Sequence, residues 1–384
     1  MSAAGADAVA RSRSFATIAV SGVGEITEGD DLAAAIVAAL AAQGEPPVDG
    51  DILVIASKVV SKAEGRRLEA FDREAAIDAE TVRVVAERIA PRGGGQVTTR
   101  VVQSRSGPVL AAAGVDGSNV APGQVLLLPA DPDASARQVR HRLQDLTGAR
   151  IGVVVSDTAG RAWRDGQVDL AVGAAGVQVT DDLRGATDRY GNPLEVTVRA
   201  VLDELASAAD LVKGKLGALP AALVRGLPEL VTPDDGPGAA ALLRGPASDW
   251  FRLGHVEAVR SALGVPPGTK GVPAAPMAPG TLVERLRRAL DVALAGPDLV
   301  PRAGTVRMRP WPVVSVTVGE PDGVVTALVQ AGDPAELSDL ADIVALGGFV
   351  QRAVTAAWAE DLDLRATLRP DGTLHLAASP NPHS

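Results

Sequence analysis

Three short segments concentrate the groups that could do chemistry: "ASKVVSKAEGR" (56–66), "AAGVDGSNV" (112–120) and "SDTAGRAWR" (156–164). Each sets Asp, Lys or Arg among small residues, at the expected carboxyl end of a strand or in a Gly-lined loop, where the ligands of sheet proteins collect. Asp116 and Asp157 supply hard oxygen donors that could share one octahedral cation, Mg²⁺ or Mn²⁺, which keeps several waters and bridges nucleotide phosphates. Lys58, Lys62, Arg161 and Arg164 would offset phosphate charge, and Gly22 and Gly24 in "SGVGEI" would let backbone amides approach an anion closely. Each signal also has a plainer reading. Asp116-Gly117 is a turn signal, Asp157-Thr158 could cap a following helix, and Lys58 with Lys62 could be a solvated helix face. In "SGVGEI" Thr27 stands where a dinucleotide fingerprint needs its third Gly, and no G-x-x-x-x-G-K-[ST] loop occurs.

Composition narrows the chemistry further. The 384 residues include no Cys, which excludes disulfides, thiolate metal sites and thiol nucleophiles. The four histidines, His141, His255, His375 and His383, are scattered, and none lies near a Gly-flanked Ser as a hydrolase triad requires. What remains is carboxylates, Lys, Arg and backbone amides, a set suited to hard metals and phosphates. A net charge of -10 repels a nucleic-acid backbone, and aromatics at 2% leave no stacking platform for bases. No apolar run reaches the roughly 18 residues of a membrane span, so a cytoplasmic protein acting on small molecules is expected. Residues 1–14 read as a short disordered tail.

The elements that must position these groups alternate between strand-like and helical patterns, with a core of Ala, Val and Leu. Strands are expected at 15–20, 51–57, 96–103, 124–129, 150–156 and 221–226. Helices are expected over "DDLAAAIVAALAAQ", over "REAAIDAETVRVVAERIA", and over "SARQVRHRLQDLTG" with Ser135 as N-cap and Gly148 as terminator. "PLEVTVRAVLDELASAADLVKGK" reads as a strand entering a long helix. Asp157 is thereby expected just beyond a rigid apolar strand. After residue 245 a second, smaller unit begins, with "SDWFRLGHVEAVRSAL" as a helix capped by Ser248. A Pro/Gly-rich stretch follows at 264–280, then a helix with Leu282, Leu286, Leu290 and Leu294 on one face, strands at 312–318 and 323–330, a helix at 337–360 and a final strand pair. The fold class is α+β: a mixed-sheet domain over 15–245 and a smaller α+β domain over 246–384.

Taken together and in order, "GDILVIASKVVSKAEGR", "AAAGVDGSNV", "SDTAGRAWRDGQVDLAVGAAG" and "AADLVKGK...ALVRG" resemble the coenzyme F420-0:L-glutamate ligase (CofE) family over residues 15–250. The resemblance implies a GTP-dependent, GDP-forming ligase that adds L-glutamate, one or more, γ-linked, to the deazaflavin coenzyme F420-0 through an acyl phosphate. It implies Mg²⁺ or Mn²⁺, K⁺ as a candidate further ion, and a homodimer. Carried over residue by residue, the GTP contacts fall on Val23, Gly24, Glu25 and Ile26 with Ser57, Lys62 and Asn119, and the metal ligands on Asp116, Asp157 and Thr158. Asp116, Asp157 and Lys62 are the expected catalytic groups, with Glu64 and Glu195 as candidates for a general base. Where relatives offer an acidic ligand in the loop matching "VKGKLGALP", this chain has Lys215. The second domain resembles a shortened nitroreductase-like domain whose flavin-phosphate entry is replaced by "VRSALGVPPGTKG", so it is expected to lack FMN. Two other readings stand beside this one: a bifunctional ligase and FMN-dependent dehydro-F420-0 reductase, and a non-catalytic nucleotide-binding or assembly protein.

Overall fold

The computed structural model describes residues 14–69, 73–92, 95–276, 280–295, 313–319, 325–331, 340–369 and 373–381. The expected tail lies outside them, except for Ser14. The chain forms two compact units, one of residues 1–83 and 103–249, the other of residues 84–102 and 250–384. The second unit therefore takes a hairpin from within the first part of the chain, which a single boundary near residue 245 does not describe.

Unit one begins with β1 (Ala16–Val20), α1 (Leu32–Ala42), β2 (Ile52–Ala56) and α2 (Ser57–Ala63). The Asp31 carboxylate caps α1 by accepting the Ala34 N–H at 3.0 Å. There follow in chain order β3 (Arg67–Glu69), α3 (Arg73–Glu80), β4 (Thr81–Arg92) and β5 (Gly95–Ser104), the last two of which supply residues 84–102 of unit two, and then β6 (Val109–Ala111), β7 (Gln124–Leu126) and α4 (Pro132–Thr147). The helix expected across 73–90 thus ends at Glu80. The β-branched run "TVRVV" continues as strand, because a long hairpin partner satisfies its backbone and Val and Thr pack better on a pleated surface than on a helix. In α4 the N-cap is Asp131, not Ser135, which sits inside the first turn and bonds Glu64; Gly148 closes the helix at φ 71° as expected.

The remaining elements are β8 (Gly152–Arg161), β9 (Arg164–Ala175), β10 (Asp181–Asp182), β11 (Val198–Arg199), α5 (Val201–Lys213) and β12 (Ala221–Arg225). They complete a mixed sheet ordered β1-β12-β2-β8-β9, in which only β2 and β8 run parallel. Side-chain alternation explains why β2 is apolar at every position. Leu53 and Ile55 join the core under α1 and α4, with Ile36, Leu40 and Leu143, while Ile52 and Val54 join the opposite core under α5, with Leu202 and Leu205. Gly173 in β9 lets the sheet press on the start of α4, since a Cβ there would lie 2.2 Å from the Pro132 carbonyl oxygen.

In unit two, α6 (His255–Ala262) starts at Gly254, not at Ser248, so the aromatic part of "SDWF" precedes the helix. β13 (Ala275–Pro276) pairs in parallel with β4. After α7 (Leu282–Ala295) come β14 (Val313–Gly319), β15 (Val325–Ala331), α8 (Leu340–Ala359), β16 (Leu362–Leu368) and β17 (Leu374–Pro380), with the antiparallel order β14-β15-β17-β16. On α7 the buried positions are Leu286, Ala289, Leu290, Val292 and Ala293, whereas Leu294 is exposed. A four-residue spacing drifts off a helix that turns every ~3.6 residues, so a Leu every fourth position leaves the core after two steps.

Candidate functional site

The cavity of interest belongs to unit one and lies where three connections leave the central sheet. The first is the direct passage of β2 into α2. Ser57 opens the helix and is buried, so Lys58 and Lys62, one turn apart, both reach the cavity wall. The second is the β8–β9 ladder, and here an expectation is corrected. Asp157 and Thr158 do not lie beyond the strand and cap no helix; β8 continues through them to Arg161 and turns back as β9. A register shift between Val155 and Ser156 marks a bulge next to Asp157, a device that re-aims side chains. The third is the end of α5 and its following loop, which bring Lys213 and Lys215.

Together they line a cavity of about 460 Å³. Gly24, Glu25, Ile26, Ser57, Lys62, Asn119, Asp157 and Thr158, all expected from sequence, are on its wall. Val23 is not, and packs against the core beneath. Gly24 has φ 78°, a left-handed conformation in which a side chain is strained, so this loop needs Gly for its path. Asp116 lines a neighbouring cavity of about 370 Å³ that shares Ser57, Lys58, Asp157, Thr158 and Lys215 with the first.

The charges are arranged in two linked groups. Lys58 Nζ lies 2.5 Å from both Asp116 Oδ2 and Ser118 Oγ, and its charge also acts on Asp157. Burial alone would raise the Asp116 carboxyl, but Lys58 and the Ser118 N–H hold it below the usual carboxylate range. Asp157 goes the other way. Burial, with the nearby charge of Asp169, pushes it up to about 6 against the opposing bond from Ser57 Oγ, which donates to Oδ1 at 2.8 Å. The second group centres on Asp169, only 3% exposed. Its carboxylate accepts from Ser156 Oγ (2.9 Å), Thr158 Oγ1 (2.7 Å) and the buried Lys213 Nζ (2.7 Å), and these partners lower its carboxyl despite burial. Lys215 donates to Thr158 Oγ1 and lies 3.4 Å from Asp169 and Asp210.

Asp169, Lys213, Ser156 and Asp210 were not singled out from sequence. Two of them left a trace there. Leu202, Leu205, Ala206 and Ala209 form the buried stripe of α5, and Lys213 continues it by one turn, an ammonium where the pattern demands an apolar residue. Asp169 interrupts the apolar second part of β9, from Val168 to Ala175, but only pairing shows that it faces Thr158. Arg161 and Arg164 sit in the β8–β9 turn, where Arg161 Nη2 bonds the Asp165 carbonyl, and neither lines either cavity. Glu64 bonds Ser135 in a separate groove, and Glu195 is exposed in the β10–β11 connection; neither lines the site.

Among the described residues no three acidic or histidine side chains are grouped to hold an ion by themselves. The donors at hand, Asp116, Asp157 and Thr158, are all hard oxygens suited to Mg²⁺ or Mn²⁺, which keep several waters or substrate oxygens in their shell. Two ammonium groups, on Lys58 and Lys215, now contact Asp116 and Thr158, so this oxygen-lined space already attracts positive charge. The residues therefore fit a divalent cation, provided the two Lys side chains yield.

Residues 22–226 match a family model described as F420-0:Gamma-glutamyl ligase. The chain is 43% identical over 244 residues to the coenzyme F420:L-glutamate ligase of Methanopyrus kandleri, covering 59% of this chain and 94% of the relative. It is 42% identical over 224 residues to that of Archaeoglobus fulgidus, 54% of this chain and 86% of the relative. With that of Methanothermobacter thermautotrophicus it shares 41% identity over 250 residues, 61% of this chain and 98% of the relative. All these matches are shorter than the chain.

Proposed function

Given that the chain belongs to the F420-0:gamma-glutamyl ligase family, we propose that it is a GTP-dependent ligase joining the amine of L-glutamate to a carboxylate of coenzyme F420-0. The observation that carries this reading is the cavity pair itself: Lys58, Lys62, Lys213 and Lys215 line the same cavity as Asp157 and Asp169 beside a Gly loop, an arrangement suited to a polyanion and a hard cation together.

The chemistry has a definite electron balance. A carboxylate cannot be displaced by an amine because oxide is too poor a leaving group. Its oxygen first attacks the γ-phosphorus of GTP, the bond from that phosphorus to the β-bridging oxygen breaks, and GDP leaves. The resulting acyl phosphate is attacked by the neutral amine, phosphate departs with the electron pair of the C–O bond, and the amide nitrogen loses a proton.

Lys62, which now pairs with Glu25 at 2.6 Å, would hold phosphate oxygens from the α2 side, and Lys58 and Lys215 would meet the charge that gathers on the transferred group. Lys213 and Ser156 hold Asp169 fixed, and Asp169 in turn fixes Thr158. Asp116, Asp157 and Thr158 would hold the Mg²⁺ or Mn²⁺, which supplies charge neutralisation for phosphoryl transfer when bound. K⁺ and a homodimer remain part of the proposal. Unit two is proposed to be structural and without FMN; flavin absorbance in the purified protein would reverse that and favour the bifunctional enzyme.

The test is mass spectrometry after incubation with GTP, Mn²⁺, L-glutamate and the unglutamylated coenzyme. Product mass should rise in glutamyl steps with equimolar GDP. GTP binding without GDP release in the complete mixture would instead identify a non-catalytic nucleotide-binding protein.

A further inference from the structure

The reading above gives the second cavity the cation held at its Asp116, Asp157 and Thr158 edge but assigns no substrate to the rest of its wall. It shares Ser57, Lys58, Asp157, Thr158 and Lys215 with the first, so anything bound in it meets the reacting centre along that wall. Away from that wall it is lined by Arg73, the first residue of α3, whose Nη2 donates to the Val115 carbonyl at 2.8 Å. Nη1 also lies 4.0 Å from the Glu74 carboxylate, a half-exposed and loose contact; a guanidinium has five N–H donors in a rigid fork, so these partners orient the group rather than saturating it. Lys58 holds the next residue, Asp116. Two cations on the cavity wall thus contact consecutive residues, Arg73 the Val115 carbonyl and Lys58 the Asp116 carboxylate.

The backbone of the same wall is unusual. Ala112, Ala113 and Gly114 have φ of 53°, 55° and 75° in succession. A left-handed Ala costs about 1–2 kcal/mol, and such strain persists where surrounding contacts impose it, as at ligand clamps. A Cβ on Gly114 would meet Leu128 Cδ1 at 2.7 Å, so the turn packs closely on Leu128, which lines the same cavity.

We propose that this second cavity seats the incoming amino acid, and that Arg73 binds its side-chain carboxylate and so selects a dicarboxylic amino acid. The inference rests on the ligase reading and adds where the amine donor sits. The α-carboxylate, next to the attacking amine, lies at the Lys58 and Lys215 end; the side-chain carboxylate reaches Arg73. Ser61 and Gln167, also among the lining residues, bring neutral hydrogen-bonding side chains to the same cavity.

The experiment compares wild type with Arg73→Gln and Arg73→Lys, measuring KM for L-glutamate, Ki for L-glutamine as a competitor, and KM for GTP. Losing one charge-assisted hydrogen-bonding group should raise the glutamate KM about tenfold to a hundredfold in Arg73→Gln, with glutamine Ki and GTP KM unchanged. Arg73→Lys should recover part of the loss. Because Arg73 also steadies Val115 beside Asp116, a merely structural role would weaken glutamate and glutamine alike and lower kcat; that result, or an unchanged glutamate KM, overturns the assignment while leaving the ligase intact. If the wild type adds no amino acid to the coenzyme with GTP present, the ligase reading fails, and this assignment with it.

Discussion

Both units bury charge, but they do so in different ways. In unit two, Glu360 lies beneath three guanidinium-bearing side chains: Arg288 donates to it through Nε and Nη2 at 2.9 and 2.7 Å, Arg260 Nη2 lies at 3.4 Å, and Arg285 takes its backbone carbonyl. The void beside Glu87, Glu257 and Arg260 in the same unit is about 10 Å³. In unit one the buried carboxylate Asp169 is held by Lys213 and flanked by Lys215, on the wall of a 460 Å³ cavity. A guanidinium fork tied to acceptors is a fixed brace, whereas an ammonium on a flexible stem can exchange one oxygen for another. Buried charge alone therefore does not mark a site; charge that borders accessible volume and is held by replaceable partners does.

That contrast can be broken most directly at Asp157. Asp157→Ala should lower ligase turnover by about a thousandfold, the scale of removing one preorganised group from a charged transition state, while the protein remains folded; steady-state kinetics and thermal melting together check this. Glu360→Ala should do the reverse. Stranding buried Arg groups should cost about 3–5 kcal/mol of stability, read as a lower urea midpoint, with turnover per folded molecule unchanged. Lys213→Met lies between the two and should damage both, since it removes the buried ammonium paired with Asp169 and leaves the longer Lys215 contact as its cationic neighbour: a loss of about 3 kcal/mol together with a fall in kcat.

A smaller effect follows from acidity. The folded carboxyl of Asp157 titrates near 6, above its unfolded value, so the stability it contributes is full below pH 4 and is lost as pH rises through 6. Nucleotide-free, chelated protein should therefore lose up to about 3 kcal/mol from this group between pH 4 and 7, and Asp157→Asn should flatten that part of the profile in a pH series of melts. The smallest expected change is Gly24→Ala. No atom lies within 4 Å of the added Cβ, so the cost is the left-handed backbone alone, about 1–2 kcal/mol, with a few-fold rise in GTP KM.

How much of this was legible beforehand depended on how local the signal was. The apolar runs of β2, β8 and β12 stand where the sequence puts them, because burial on two faces leaves no other pattern; β1 and the Ala-rich α1 are also where they were expected. The split of "REAAIDAETVRVVAERIA" into helix and strand was not legible, since the apolar spacing fits both and a hairpin partner decided it. Asp157 lines the cavity, but a bulged ladder and not a strand end carries it. Arg161 and Arg164 were close to Asp157 in sequence but are carried away by the β8–β9 turn, while Lys213, more than fifty residues on, comes within 2.7 Å of Ser156.

The sequence by itself determined the chemistry available: no thiol, scattered imidazoles, and Asp, Lys and Gly in loops between apolar strands, which leaves hard cations and phosphates as the partners those groups can bind. It also determined the layers, because hydrophobic period is a property of neighbouring residues. Only the tertiary structure decided which charges meet. Asp116, Asp157, Asp169 and Lys213 come from separate elements, and whether a carboxylate is braced by Ser57, raised by burial or neutralised by Lys depends on distances that no local pattern encodes.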